Sequence, residues 1–508
     1  MARSVNRRTF IKNSVTAAGA GLAGMSIEYG AAQNLKLDEL IDEDALGLAA
    51  KLRAGDFSQA EMVDIFIRRV EVMNPILNFM TNDAFERARN NAGTIPFDTR
   101  FAGVPILMKD MIDIGGLRRT DGSRLLMENR PKSNVAFVDS LEAAGFNILG
   151  QTNVPEMASF IITNNDAFGA TRNPWNTEFS VFSSSGGSAA AVAAGVVPVA
   201  HGTDGAGSNR LPPSATGILG MKPSRFRMRS GESGGGHDIA KTNHVLTRTV
   251  RDSAAALADT EDTSGKYFPP VGYVENACKR RLKVGTIIAD RSLMASEPEV
   301  LRTQERTGRL LESLGHTVVE TPWPVNAEAM AEAYTKFFAG KLATLKSIVE
   351  SASGKPLMES GLLTPALASN ILSSQAFTAL DIAEGRAYLN NMEPLFESVF
   401  KEFDVLLAPV APVAAPPLFE HTPQEIWTED LANYTAARLK YTSPVNFAGC
   451  PAMSIPLGRS KTSGIPIGSH FIAAKGDDRL LYELAYELEE AQPWRTIWAP
   501  ISLKNIPI

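Results

Sequence analysis

Apolar residues along the chain switch repeatedly between two spacings. Over 59–72 they recur at helical intervals (Met62, Ile65, Phe66, Val70), the period that lines one face of an α-helix. Ser58 stands where an N-cap belongs, and Asn74-Pro75 reads as the stop. A similar pattern over 37–52 predicts a helix ahead of it. Short apolar runs at 104–108, 147–150, 196–201 and 282–287 predict strands, and stretches at 133–144, 188–195 and 298–314 predict the helices between them. This alternation predicts an α/β fold, a central mixed and largely parallel twisted sheet covered by helices on both faces. Residues 325–403 read as a helical insertion, after which 405–407, 453–457 and 465–473 return to strands. The Pro-rich segment 408–417 reads as extended chain and the Gly-rich segment 231–237 as a flexible loop. Strands on both sides of the insertion argue for one interwoven domain over 33–508, with N-terminal helices at 37–72, a core at about 100–260 and a C-terminal part at 280–508.

Composition narrows the class. With 508 residues, 44% of them hydrophobic and 21% charged, the chain can bury a large core, and a net charge of −6 without a basic run excludes a nucleic-acid footprint. Cys278 and Cys450 are the only cysteines, and the six histidines are scattered, so neither a disulfide framework nor a metal site is predicted, and no cofactor. At the N-terminus, Arg7-Arg8 precede Phe10 and a short small-residue run from Ser14 to Met25. That reads as a twin-arginine type of export signal over 1–32, cut before Gln33, and too short and Gly/Ala-rich for a stable membrane anchor. The expected location is the bacterial periplasm or beyond, and the expected state a monomer or homodimer.

Two serine clusters share one small-residue frame, Val181-Phe-Ser-Ser-Ser-Gly-Gly-Ser188 and Asp204-Gly-Ala-Gly-Ser-Asn-Arg210. Bare backbone N–H groups around a serine hydroxyl are what acyl transfer requires, a nucleophile beside donors for a tetrahedral oxyanion. The lone lysine of Gly103-Val-Pro-Ile-Leu-Met-Lys109-Asp110 supplies a candidate base, because burial lowers an ammonium pKa.

These segments, with Asn173-Pro-Trp-Asn176, Gly220-Met-Lys-Pro223, Asn446-Phe-Ala-Gly-Cys-Pro-Ala452 and Pro466-Ile-Gly468, resemble the amidase signature family over residues 37 to about 494. The resemblance implies that family's fold and a Ser–cisSer–Lys apparatus hydrolysing a carboxamide C–N bond through an acyl-enzyme. Ser208 matches the nucleophile, Ser184 the serine with a cis peptide bond, and Lys109 the lysine. The amides of Gly205, Ala206, Gly207 and Ser208 would form the oxyanion hole, braced by Asp204, Arg210 and Ser185. Met157, Phe160, Ile161 and Asn209 are candidates for contact with a small-molecule amide. The branch most similar contains 6-aminohexanoate cyclic-dimer hydrolases, aryl acylamidases and peptide amidases.

Departures from the pattern sharpen these expectations. Phe182-Ser183 stand where the family has a glycine pair, and Phe179 replaces an arginine. A positive φ at either glycine position would strain a side chain there. Asn209 replaces an apolar residue and Pro213 a small one. Gly231-Glu-Ser233-Gly-Gly235 fits Gly-x-Ser-x-Gly, but that elbow needs a strand before it and a helix after it. The alternative functions are a periplasmic binding or scaffold homologue without turnover, and an amidotransferase-type subunit.

Overall fold

The Ser58 hydroxyl accepts the Glu61 N–H while the Glu61 carboxylate accepts the Ser58 N–H, a reciprocal capping box that starts helix Gln59–Leu77. The helix does not stop at Asn74-Pro75, as predicted, but runs through Pro75 to Leu77. Proline in a last turn forfeits one backbone bond. The stop falls at Asn78, which takes φ 52° and donates to Asn74 O, while Asn74 Oδ1 accepts the amides of Phe79 and Met80. The structure is a computed structural model that describes residues 40–233, 237–277, 279–288 and 292–506. The predicted export signal, the start of predicted helix 37–52, Cys278 and three glycines of the 231–237 loop lie outside these. Helix Ala45–Ala54 is the described part of the first predicted helix.

The strands form an eleven-stranded sheet in the order β1-β3-β2-β4-β6-β5-β10-β11-β9-β7-β8. In chain order they are β1 Met80–Asp83, β2 Pro105–Lys109, β3 Asn147–Thr152, β4 Val199–Asp204, β5 Leu219–Lys222, β6 Thr242–Thr247, β7 Lys283–Thr286, β8 Thr317–Glu320, β9 Val405–Pro409, β10 Ala452–Arg459 and β11 Pro466–Ala473. The sheet is mixed, and the expectation that it is largely parallel is corrected. Parallel pairs (β2 with β3 and β4, β7 with β8 and β9) occupy the two flanks. The centre, from β4 through β6, β5, β10 and β11 to β9, is antiparallel. Central strands β2, β4, β5, β6, β9 and β11 are buried throughout, as a sheet covered on both faces requires. The helical insertion spans five helices, from Ala327–Leu342 to Met392–Val399. Among the described residues no helix is long and apolar enough to cross a membrane.

This topology positions three side chains. Parallel β2 and β4 are neighbours, with Leu107 opposite Ala200, so their C-terminal ends set Lys109 beside Thr203 and Asp204. Helix Gly186–Ala193, buried along its whole length and lying on β4, starts at that same end, one residue after Ser185. Open α/β sheets bind ligands at such strand ends.

Candidate active site

Lys109 is wholly buried. Its Nζ donates to Ser184 Oγ at 2.7 Å, Thr203 Oγ1 at 2.8 Å and Thr203 O at 3.2 Å. Burial pushes its pKa down to about 7, helped by the Lys241 ammonium and opposed by Asp204 and Asp121. Ser184 Oγ donates to Ser208 Oγ at 2.9 Å, completing an unbroken line from lysine to serine to serine. The peptide bond between Ser183 and Ser184 is cis. Thr203, to which the sequence reading assigned no role, holds the amine from below; its place directly before Asp204 in a shared motif was the available signal.

The turn after β4 is organised by Asp204. Its carboxylate accepts the amides of Gly207 (2.7 Å) and Asn209 (3.1 Å), both Nε and Nη2 of Arg210 (2.9 Å each), and Asn446 Nδ2 (2.8 Å). Burial opposes its ionisation, but the Arg210 guanidinium outweighs that and holds the carboxyl well below its usual range. Arg210, itself without exposure, also donates to Thr442 O and Asn446 Oδ1. Gly207 was expected among the oxyanion donors, and this is corrected: its N–H is committed to Asp204. Glycine is needed there for another reason, since φ is 140° and a Cβ would meet Thr442 Oγ1 at 2.6 Å. Among the described residues no acceptor takes the amides of Gly205, Ala206 or Ser208. Thr442 Oγ1 donates to Ala206 O at 2.6 Å and pins the turn from the other side. Ser185 Oγ reaches Thr203 O and Asn209 Oδ1, both at 3.3 Å.

The residues proposed for substrate contact divide. Phe160 and Ile161 are buried in one apolar cluster with Phe182, Leu211, Val410 and Ala411, against which Ala206 packs. Met157 instead packs against Val349, Leu357 and Leu367 of the helical insertion. Asn209 is also corrected: it is fully buried, its Nδ2 directed to Gly202 O and Met221 O at 3.4 Å, so it ties β4 to β5. Phe182 does take a positive φ, 57°, at the position where the family has glycine. That conformation costs about 1–2 kcal/mol, and burying the ring gains about 1.5–3 kcal/mol. Its carbonyl is held by Thr163 N and Oγ1. Ser233 is followed by strand β6, not a helix, and donates to Asp113, so the competing elbow lacks its frame. His201, His244 and His470 are buried, and burial takes His201 down to about 3; its Nδ1 accepts the Lys109 amide and lies in the sheet. Among the described residues no cluster of three His, Cys, Asp or Glu side chains could hold a metal ion.

A buried amine hydrogen-bonded through one serine to a second, beside uncommitted amides, defines a hydrolase site of one class. The amidase family profile matches residues 61–482, and the chain belongs to that family, the amidase signature hydrolases acting on C–N bonds. The 6-aminohexanoate-cyclic-dimer hydrolase of Paenarthrobacter ureafaciens is 33% identical over 480 residues, 89% of this chain and 95% of that one. A solved 6-aminohexanoate cyclic dimer hydrolase complexed with substrate superposes with a TM-score of 0.81 at 29% identity, covering 91% of this chain and 99% of that one. A bacterial aryl acylamidase superposes with a TM-score of 0.80 at 25% identity, covering 92% and 99%.

Proposed function

We propose that the protein hydrolyses a carboxamide with an apolar acyl part, through an acyl-enzyme on Ser208. The observation that carries this reading is the line Lys109 Nζ–Ser184 Oγ–Ser208 Oγ, with contacts of 2.7 and 2.9 Å. A neutral lysine amine has two N–H groups and one lone pair. When the amine is neutral its N–H groups stay on Thr203 O and Thr203 Oγ1 and both serine hydroxyls turn, Ser184 donating to the lysine lone pair and Ser208 to Ser184, the reverse of the arrangement with a charged lysine. As Ser208 Oγ attacks the carbonyl carbon, its proton passes to Ser184 and the Ser184 proton to Lys109. The amides of Gly205, Ala206 and Ser208 receive the oxyanion. On collapse the C–N bond breaks, Ser184 gives its proton to the departing nitrogen, and Lys109 restores it. Water then attacks the ester by the same relay, releasing the acid and Ser208.

A fluorophosphonate probe tests this: labelling of the wild type that vanishes in Ser208→Ala is expected, and equal labelling of both would remove the nucleophile assignment. Turnover of aryl anilides, cyclic amide dimers and peptide amides then ranks substrates. We also propose export through Arg7-Arg8, which a receptor reads as guanidinium forks that lysine does not reproduce. Equal periplasmic amounts of the wild type and Arg7→Lys/Arg8→Lys would refute it.

A further inference from the structure

Helix Glu429–Leu439 ends beside the nucleophile turn. Three residues past its end, Thr442 Oγ1 makes the bond to Ala206 O already described and also reaches back to Leu439 O. Leu431, Tyr434 and Arg438 are spaced to share one face of the helix. Leu431 and Tyr434 join the apolar cluster that contains Phe160, Phe182 and Val410 and against which Ala206 packs. The face that carries Arg438 therefore lies against the same apolar cluster as Ala206, two positions before Ser208.

Arg438 is only 4% exposed. Its guanidinium lies over the Tyr434 ring, 3.3 Å from the centroid, and Nη1 donates to Tyr434 O at 3.0 Å. Nε is buried without any acceptor. Among the described residues no acceptor takes Nη2 either, and no carboxylate stands within ion-pair distance. Glu420 and Glu297 act on Arg438 only from farther away. Each is already engaged, Glu420 by the Tyr434 hydroxyl at 2.9 Å and Glu297 by the Ala414 amide at 3.1 Å. The contrast with Arg210 is direct: that guanidinium, wholly buried, has its Nε–Nη2 edge filled by Asp204. In Arg438 the same edge, two parallel N–H groups at the spacing of two carboxylate oxygens, is empty. A buried charge with an open fork is costly to the free protein, and a ligand oxyanion relieves that cost.

We infer that Arg438 is a specificity-determining residue that binds a free carboxylate of the substrate, so the preferred amide carries an anionic end remote from the scissile bond. This rests on the amidase reading and narrows its substrate to amide-containing carboxylates. Neutral amides of the same length lack the partner for the fork.

The test uses matched pairs. Half-amides of straight-chain dicarboxylic acids of about four to ten carbons are compared with n-alkanamides of equal length, and ω-acetamido acids with N-alkylacetamides, which places the carboxylate on either side of the cut bond. For at least one pair the wild type should favour the carboxylate in kcat/KM by roughly 10- to 100-fold, the range of a charge-assisted hydrogen bond. The ratio should collapse toward one in Arg438→Met and fall markedly in Arg438→Lys, which keeps the charge without the fork. Without ligand, Arg438→Met should melt no lower than the wild type, because the change removes an unpaired buried charge. In Ser208→Ala protein, the dicarboxylate of the preferred length should raise the melting temperature, and the added Arg438→Met change should abolish that shift. Ratios near one for every pair in the wild type, or a ratio unmoved by Arg438→Met, would overturn the inference. Continued amide hydrolysis by Ser208→Ala would instead overturn the serine mechanism and leave the ratio to report on Arg438.

Discussion

Two lysines close two strands of one sheet, Lys109 at the end of β2 and Lys222 at the end of β5. Both are wholly buried, and in both burial pushes the pKa down to about 7. A second cation contributes to each, Lys241 for Lys109 and Arg210 for Lys222. Their contacts differ. Lys109 touches two hydroxyls, one of them hydrogen-bonded to Ser208. Lys222 Nζ donates to Pro223 O at 2.9 Å, a carbonyl with no proton to give. Burial makes a lysine weakly basic; only the hydroxyl relay beside Lys109 connects that basicity to a reacting oxygen.

The sharpest way to break this comparison is to remove each amine. Lys109→Ala should lower kcat/KM by about 10²–10⁴, the range for losing a positioned base, whereas Lys222→Met should stay within about tenfold of the wild type on a general scale for sites off the reaction path. Comparable losses in steady-state kinetics would erase the distinction. Next in size is Gly207→Ala: φ 140° and the clash with Thr442 should displace the turn and cost roughly 10² in kcat with the fold retained by circular dichroism. Thr203→Val removes one of the hydroxyls that orient Lys109, and a fall of about tenfold in kcat is expected, with KM steady.

The remaining effect is on stability and not on rate. A buried lysine with a folded pKa near 7 and an unfolded one near 10.5 binds fewer protons when folded, so its destabilising effect is complete below pH 7 and fades as pH rises toward 10.5. Lys222→Met should therefore gain most over the wild type at pH 6. Between pH 7 and 10.5 the gain should shrink by up to about 1.4 kcal/mol per pH unit. Denaturant unfolding at several pH values reads this slope, and a difference independent of pH would mean that Lys222 is not buried in its charged form.

Much of this frame was legible in the residues because its signals are local. The Ser58 capping box, the apolar run ending at Lys109 and the small-residue frames around Ser184 and Ser208 each announce themselves within a few positions. What escaped depends on distant chain. β6, Thr-Asn-His-Val-Leu-Thr, is polar by composition yet wholly buried, because neighbours β4 and β5 supply its partners. The direction of the central strands follows from that long-range pairing and leaves no periodicity in any one segment. The clamp by Thr442 and Asn446 arises where residues more than two hundred positions apart meet, the Gly207 bond to Asp204 spans three positions within the turn that this clamp holds, and the open fork of Arg438 is a missing partner that no local pattern announces. Helix Gln59–Leu77 shows the converse: Pro75 is a local stop signal overridden by the turn that Asn74 and Asn78 build.

The measurement that bears most directly on the central claim, that Lys109 and not Lys222 serves as the base, is the pH dependence of inactivation by a fluorophosphonate for the wild type, Lys109→Ala and Lys222→Met. The wild-type rate constant should rise about tenfold per pH unit while Lys109 loses its proton, then level off above its pKa of about 7. Lys222→Met should trace the same bend, and Lys109→Ala should react far more slowly with no bend near 7. A bend that survives in Lys109→Ala, or that disappears in Lys222→Met, would contradict the account.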